Sequence, residues 1–200
     1  MSEKELIARA QAGDFDAFVE LVDIHKTKVY GMIRKLAGNE QDAEDIMQET
    51  LLRAIDKIDQ FRGESSFGTW LYTIALNIGR AQYAKSKQAD LKPIEEYLPG
   101  GSSSANYNHA DSDLFEWKDP HEVMESKQLK KIIDDAISEL PYKYKEVFLL
   151  RYLEELPVKE VARLTRQSEA SAKSRILRAR LAVRDKLASV FEEEYGQKMS

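Results

Sequence analysis

The 200-residue chain carries 30 Lys and Arg against 35 Asp and Glu, a formal net charge of −5, with 42% apolar and 32% charged residues. That composition is globular, and the length suits one ordinary domain or two small ones. The lack of any cysteine excludes a disulfide scaffold, Cys-ligated zinc and thiol catalysis. The opening Met1-Ser-Glu-Lys-Glu has no basic segment leading into an apolar one, so no secretory signal is expected. The densest apolar run, Val147 to Leu153, is broken by Arg151 and is far too short to span a membrane. A soluble cytoplasmic protein is expected.

In chain order, apolar residues recur at spacings of three and four and never in strict alternation, so every element reads as helix. Phe15, Phe18, Val19, Val22, Val29 and Ile33 mark a first helix or a broken pair. The stripe Ala43, Ile46, Met47, Thr50, Leu51, Ala54, Ile55 and Ile58 marks the next, with Asn39 as its N-cap and Asp42 at the third helical position. Arg62-Gly-Glu-Ser-Ser-Phe-Gly leads into another stripe, Trp70, Leu71, Ile74, Ala75 and Ile78, which leaves Thr73, Asn77, Arg80, Ala84 and Lys87 opposite. Leu98-Pro-Gly-Gly-Ser-Ser-Ser-Ala-Asn-Tyr-Asn gathers loop residues with no apolar period, as a linker does. Beyond it, Leu129, Ile132, Ile133, Ala136 and Ile137 mark a helix, and Pro141 opens another with Val147, Phe148 and Tyr152 inward. A short helix Val158–Leu164, begun by Pro157 at its first position, meets a turn at Thr165–Gln167. Ser168 then caps a long helix, about Glu169 to Phe191, with Ala172, Ile176, Ala179, Val183 and Leu187 facing in.

The charge resolves into unlike parts. Residues 1–60 carry −5, 61–88 carry +3, 89–122 carry −6, 123–157 carry −1, 158–190 carry +6 and the last ten −2. An acidic average argues against a phosphate-backbone partner, whereas two basic islands argue for one. The final pair of helices has the helix-turn-helix pattern, whose second helix fits the major groove. Ser171, Lys173, Ser174, Arg175, Arg178 and Arg180 lie on its outer part. In the other island, Arg62, Ser65, Ser66 and Phe67 precede the helix face Thr73, Asn77, Arg80. Polar groups beside an aromatic surface suit the capture of an unstacked base. On the helix near Gln41–Asp59 the outer face presents Asp45, Gln48, Glu49, Leu52, Arg53 and Asp56, and an exposed Leu52 among charges suggests a protein partner. One helix supplies too few convergent carboxylates for a metal, and the three histidines, His25, His109 and His121, are scattered. No catalytic grouping, metal, cofactor or small-molecule substrate is expected.

These features together resemble a known family. Gly13-Asp-Phe-Asp-Ala-Phe, Asp42-Ala-Glu-Asp-Ile-Met-Gln-Glu-Thr and Phe61-Arg-Gly-Glu-Ser-Ser-Phe-Gly-Thr-Trp-Leu-Tyr-Thr-Ile-Ala-Leu-Asn stand in the first block. Leu140-Pro-Tyr-Lys-Tyr-Lys-Glu-Val-Phe-Leu-Leu-Arg-Tyr and Lys173-Ser-Arg-Ile-Leu-Arg-Ala-Arg stand in the second. In this order and split by a linker, the chain resembles bacterial RNA polymerase sigma factors of the extracytoplasmic-function (ECF) type. The resemblance implies an all-α protein of two small helical domains joined by a flexible acidic linker, the second ending in the helix-turn-helix. It divides the chain into residues 1–88, a linker 89–121, residues 122–191 and a tail 192–200. It further implies docking of Asp45, Gln48, Glu49, Leu52 and Arg53 on core RNA polymerase. Recognition of the promoter −10 element would fall to Arg62, Ser65, Ser66, Phe67, Thr73, Asn77 and Arg80. Ser171, Lys173, Ser174, Arg175, Leu177 and Arg178 would read the −35 element. Promoter DNA and an anti-sigma factor are the other implied partners, with no membrane insertion. Where the family usually begins its recognition helix Pro-x-Gly-Thr-Val, this chain reads Ser168-Glu-Ala-Ser-Ala. The alternative is a helix-turn-helix repressor or activator acting without core polymerase. Such a regulator has no use for a second basic, aromatic island at 61–88.

Overall fold

The computed structural model describes residues 1–87 and 126–195, and the expected linker 89–121 lies outside the described residues. Four helices form the first block: α1 (Glu3–Gln11), α2 (Phe15–Ala37), α3 (Glu40–Lys57) and α4 (Phe67–Lys87). A 3₁₀ turn, Ile58–Gln60, follows α3. The second block holds α5 (Ser126–Ser138), α6 (Tyr142–Phe148), α7 (Val158–Leu164) and α8 (Glu169–Tyr195). All the regular structure among the described residues is helical. α8 ends at Tyr195, inside the stretch 192–200 expected as a tail.

Local chemistry sets these boundaries. Asp14 starts α2 by accepting the Ala17 N–H, and Asn39 starts α3 by accepting the Asp42 N–H at 2.8 Å. Between α2 and α3 the chain turns at Gly38, whose φ of 88° suits a residue without Cβ. α2 is one unbroken helix, and Phe15 and Val19 at its start are exposed rather than inward. Of the expected α3 stripe, Ala43, Ile46, Thr50, Ala54 and Ile58 are buried and Met47, Leu51 and Ile55 half-buried, with α3 packed on α2 and α4.

Two boundaries depart from expectation. Pro157 stands at the N-cap of α7, one residue before the helix, with extended backbone. After α6 the chain widens into a π-helical turn, Leu149–Leu153, in which the Glu154 N–H reaches back to the Leu149 carbonyl. That wider turn puts Leu149 and Leu150 in the core and rotates Tyr152 outward, 43% exposed, against the expected inward position.

The two blocks pack against each other. α2 touches α5 and α6, α4 touches α7, and one contiguous apolar core runs from Leu6 through Leu71 to Leu187. The placement of α4 follows from this: one side lies on α2 and α3, another faces the second block.

Candidate nucleic-acid and polymerase interfaces

On α3, Asp45, Gln48, Leu52 and Arg53 are exposed, with Leu52 at 61%, and Glu49 is half-buried. Arg53 donates to Glu49 at 2.6 Å along the helix, a surface pair that holds both side chains on one face. Burial of Ala43, Ile46, Thr50 and Ala54 on the other side fixes the rotation of α3, so this charged face with a leucine in it is presented outward. Among the described residues, no group of three or more His, Asp or Glu side chains converges to hold a metal ion.

The loop before α4 divides into exposed and structural parts. Arg62 and Ser66 are exposed and Ser65 is half-buried. Ser66 also caps α4: its Oγ accepts the Thr69 N–H at 3.1 Å and shares a hydrogen bond with the Thr69 hydroxyl at 2.8 Å. Ser followed by a helical run is an N-cap signal that marks this role in the sequence. Phe67, expected as a stacking surface, is 0% exposed. Its ring lies 5.8 Å from Phe61, edge-on, and 5.5 Å from Trp70, with His25 at 5.7 Å. It is the centre of an aromatic cluster beneath the loop, because α4 enters the core at its first residue.

The helix face Thr73, Asn77, Arg80 is not the open surface its spacing suggests. All three are half-buried. Thr73 returns its hydroxyl hydrogen to the Thr69 carbonyl. Arg80 is engaged by the second block: Nε donates to Glu146 Oε2 at 2.9 Å and Nη2 to the Leu164 carbonyl at 2.9 Å, while Nη1 reaches Asn77 Oδ1 at 3.4 Å. Nearby, the Tyr72 hydroxyl donates to Glu154, and Tyr83 stacks on Tyr142 with ring centroids 4.6 Å apart. Burial pushes the Glu146 carboxyl above its ordinary value, opposed by the Arg80 charge and hydrogen bond and by the Arg175 charge. Burial likewise raises Glu154, opposed by the Tyr72 hydrogen bond and the Lys28 charge. Periodicity gives no sign of Tyr72, Glu146 or Glu154 as partners, since each pair joins residues from different blocks.

The helix-turn-helix is complete. After α7, Arg166 adopts a left-handed φ of 54°, the Gln167 N–H reaches the Ala162 carbonyl at 3.0 Å and the Arg166 N–H the Arg163 carbonyl at 3.2 Å. This is the two-bond helix stop usually built on glycine, here carried by an arginine. Ser168 accepts the Ser171 N–H at 3.2 Å and starts α8. Ala172, Ile176, Ala179, Val183 and Leu187 are all buried, which leaves Lys173, Ser174, Arg178 and Arg180 exposed. Ser171, Arg175 and Leu177 are half-buried, and the Ser171 hydroxyl donates to Gln167 Oε1.

Residues 21–88 match the family description Sigma-70 region 2, and residues 130–183 match Sigma-70, region 4. The chain is 35% identical over 187 residues to the ECF RNA polymerase sigma factor SigW of Bacillus subtilis, covering 94% of this chain and 97% of that one. It is 33% identical over 187 residues to the ECF RNA polymerase sigma-E factor of Haemophilus influenzae, covering 94% of this chain and 96% of the relative. In fold it is similar to CnrH, solved with the cytosolic domain of CnrY, at a TM-score of 0.61 and 22% identity, with 94% of this chain and 97% of that chain covered. It is also similar to the sigma factor RpoE of Bartonella quintana, solved with the anti-sigma factor NepR, at a TM-score of 0.61 and 21% identity over 86% of this chain and 96% of that chain. With both regions present in order and relatives aligned over nearly the whole length, the chain belongs to the ECF sigma factors of bacterial RNA polymerase.

Proposed function

We propose a division of labour among the surfaces of this sigma factor. As a member of its family the protein is a transcription initiation factor that binds core RNA polymerase and directs it to promoters. Asp45, Gln48, Glu49, Leu52 and Arg53 on α3 dock on core polymerase. Arg62, Ser65, Ser66, Thr73, Asn77 and Arg80 meet the −10 element. Phe67 supports that loop from beneath and reaches a base only if the loop rearranges. Ser171, Lys173, Ser174, Arg175, Leu177 and Arg178 on α8 read the −35 element. The single observation that carries this reading is the exposure pattern of α3 and α8, whose apolar stripes are buried and whose charged faces are outward.

In this reading the residues 1–88 and 122–191 act as separate DNA-reading domains of a cytoplasmic protein that has no catalytic step of its own. An anti-sigma factor holds it inactive in the absence of a signal. Among the described residues, no helix is long and apolar enough to cross a membrane. Binding of labelled protein to purified core polymerase tests the docking face. Asp45→Arg with Glu49→Arg is expected to weaken it at least tenfold with folding intact. Unchanged affinity overturns the assignment of α3.

A further inference from the structure

Three contacts between the blocks converge on one side of α4. Tyr72, Leu76, Gly79, Arg80 and Tyr83 recur at helical spacing and define an arc distinct from the Phe67, Leu71, Ala75 and Ile78 arc that packs on the first block. On this second arc lie the hydrogen bond from Tyr72 to Glu154, the pairing of Arg80 with Glu146 and the stack of Tyr83 on Tyr142. Gly79 lets Tyr142 of the second block approach the helix closely: a Cβ there would stand 2.7 Å from the Tyr142 hydroxyl oxygen. At the rim, Lys35 on α2 pairs with Asp134 on α5.

Glu146 is the hub. It is 5% exposed, and the cation hydrogen-bonded to it comes from a block 66 residues away in sequence. The same guanidinium caps the C-terminal carbonyl of α7, the first helix of the helix-turn-helix. The charge of Arg175 on α8 also acts on Glu146. One buried carboxylate thus engages an arginine assigned to the −10 element and senses one assigned to the −35 element, as a phosphate would.

We propose that Glu146 is an internal decoy for the DNA-reading arginines: in the free chain it clasps Arg80 and closes the second block over α4, so the protein must open before Arg80 can meet promoter DNA. The inhibitory half of this proposal rests on the DNA role assigned above to α4; the clasp itself does not. Opening exchanges the Arg80–Glu146 and Tyr72–Glu154 contacts for solvent or for DNA, and the closed fraction lowers apparent DNA affinity in proportion.

The chain lacks cysteine, so two introduced cysteines are unique labelling sites. Glu20→Cys on α2 and Lys159→Cys on α7 are both exposed. Single-molecule energy transfer between them is expected to show a dominant high-transfer population with a minor low-transfer one for the otherwise unaltered free chain, and a shift to low transfer with Glu146→Lys. Asp134→Lys, at the partly exposed rim opposite Lys35, gives the same direction of shift should Glu146→Lys fail to fold. Equal transfer in the parent and in a folded variant overturns the clasp.

Binding of a short fluorescein-labelled single-stranded DNA supplies the second readout. Opening variants are expected to bind about tenfold more tightly, as a nine-tenths closed population requires. Asp56→Lys on the outer side of α3 measures the gain owed to charge alone. Opening with no gain beyond that control leaves the clasp standing and overturns both the DNA role of α4 and the inhibition built on it.

Discussion

Phe67 offers a sharp separation between a core residue and a DNA contact. Its side chain is fully buried against Phe61, Trp70 and His25, and Gly68 beside it lies so close to His25 that a Cβ would stand 2.8 Å from Nδ1. The site is tightly bounded, so removing the ring leaves a cavity that neighbours fill only in part. Phe67→Ala is then expected to cost about 3–5 kcal/mol, a large share of the roughly 5–15 kcal/mol that holds a typical domain folded. With a urea slope of about 2 kcal/mol per M, the midpoint falls by about 2 M. Phe67→Leu keeps most of the volume and is expected to cost about 1 kcal/mol. Urea unfolding followed by helical circular dichroism at 222 nm measures both. A Phe67→Ala protein with unchanged midpoint and lost promoter activity refutes the core assignment and returns Phe67 to the DNA surface.

Further expectations follow from single contacts. Leu52→Asp on the exposed face of α3 is expected to weaken core polymerase binding at least tenfold while moving stability by no more than about 0.5 kcal/mol, read by fluorescence anisotropy and thermal melting. Asn39→Ala removes the acceptor for the Asp42 N–H and is expected to cost about 1 kcal/mol in the same urea assay. Arg166→Gly relieves a left-handed residue with a side chain and is expected to stabilise the second block by about 1 kcal/mol. The Asp14 carboxyl is held below its ordinary value by the Ala17 N–H and then by the Arg9 hydrogen bond. Its contribution is therefore present above the ordinary carboxylate pKa and lost as pH falls through the lowered one, so Asp14→Ala is expected to flatten the acid limb of stability against pH.

What could be read from the sequence was what local spacing controls. The inward stripe of α8, from Ala172 to Leu187, follows from a 3.6-residue period, and the Asn39 and Ser168 caps follow from side chains that reach only three residues on. Tyr152 departs from the inward position an α-helical period predicts because a π turn shifts the phase by one residue. Arg166 carries a helix stop with no glycine to announce it. Most of all, the same periodicity that put Arg80 opposite the Trp70 stripe could not show that a second block covers that side. Glu146 and Glu154 lie 66 and 82 residues from their partners, and no pattern along one helix encodes such pairing.

As an ECF sigma factor this chain directs core RNA polymerase to promoters, and under the proposed function it does so through two DNA-reading blocks. The most direct measurement is run-off transcription from a library of duplex templates by purified core polymerase, with and without the protein. Transcripts are expected to start only when the protein is present, from templates sharing two spaced elements, with the upstream preference changed by Arg178→Ala and the loss of Arg62 felt at the downstream element. Transcription by core polymerase that is indifferent to the protein, alongside tight binding of the free protein to a single duplex site, contradicts this expectation.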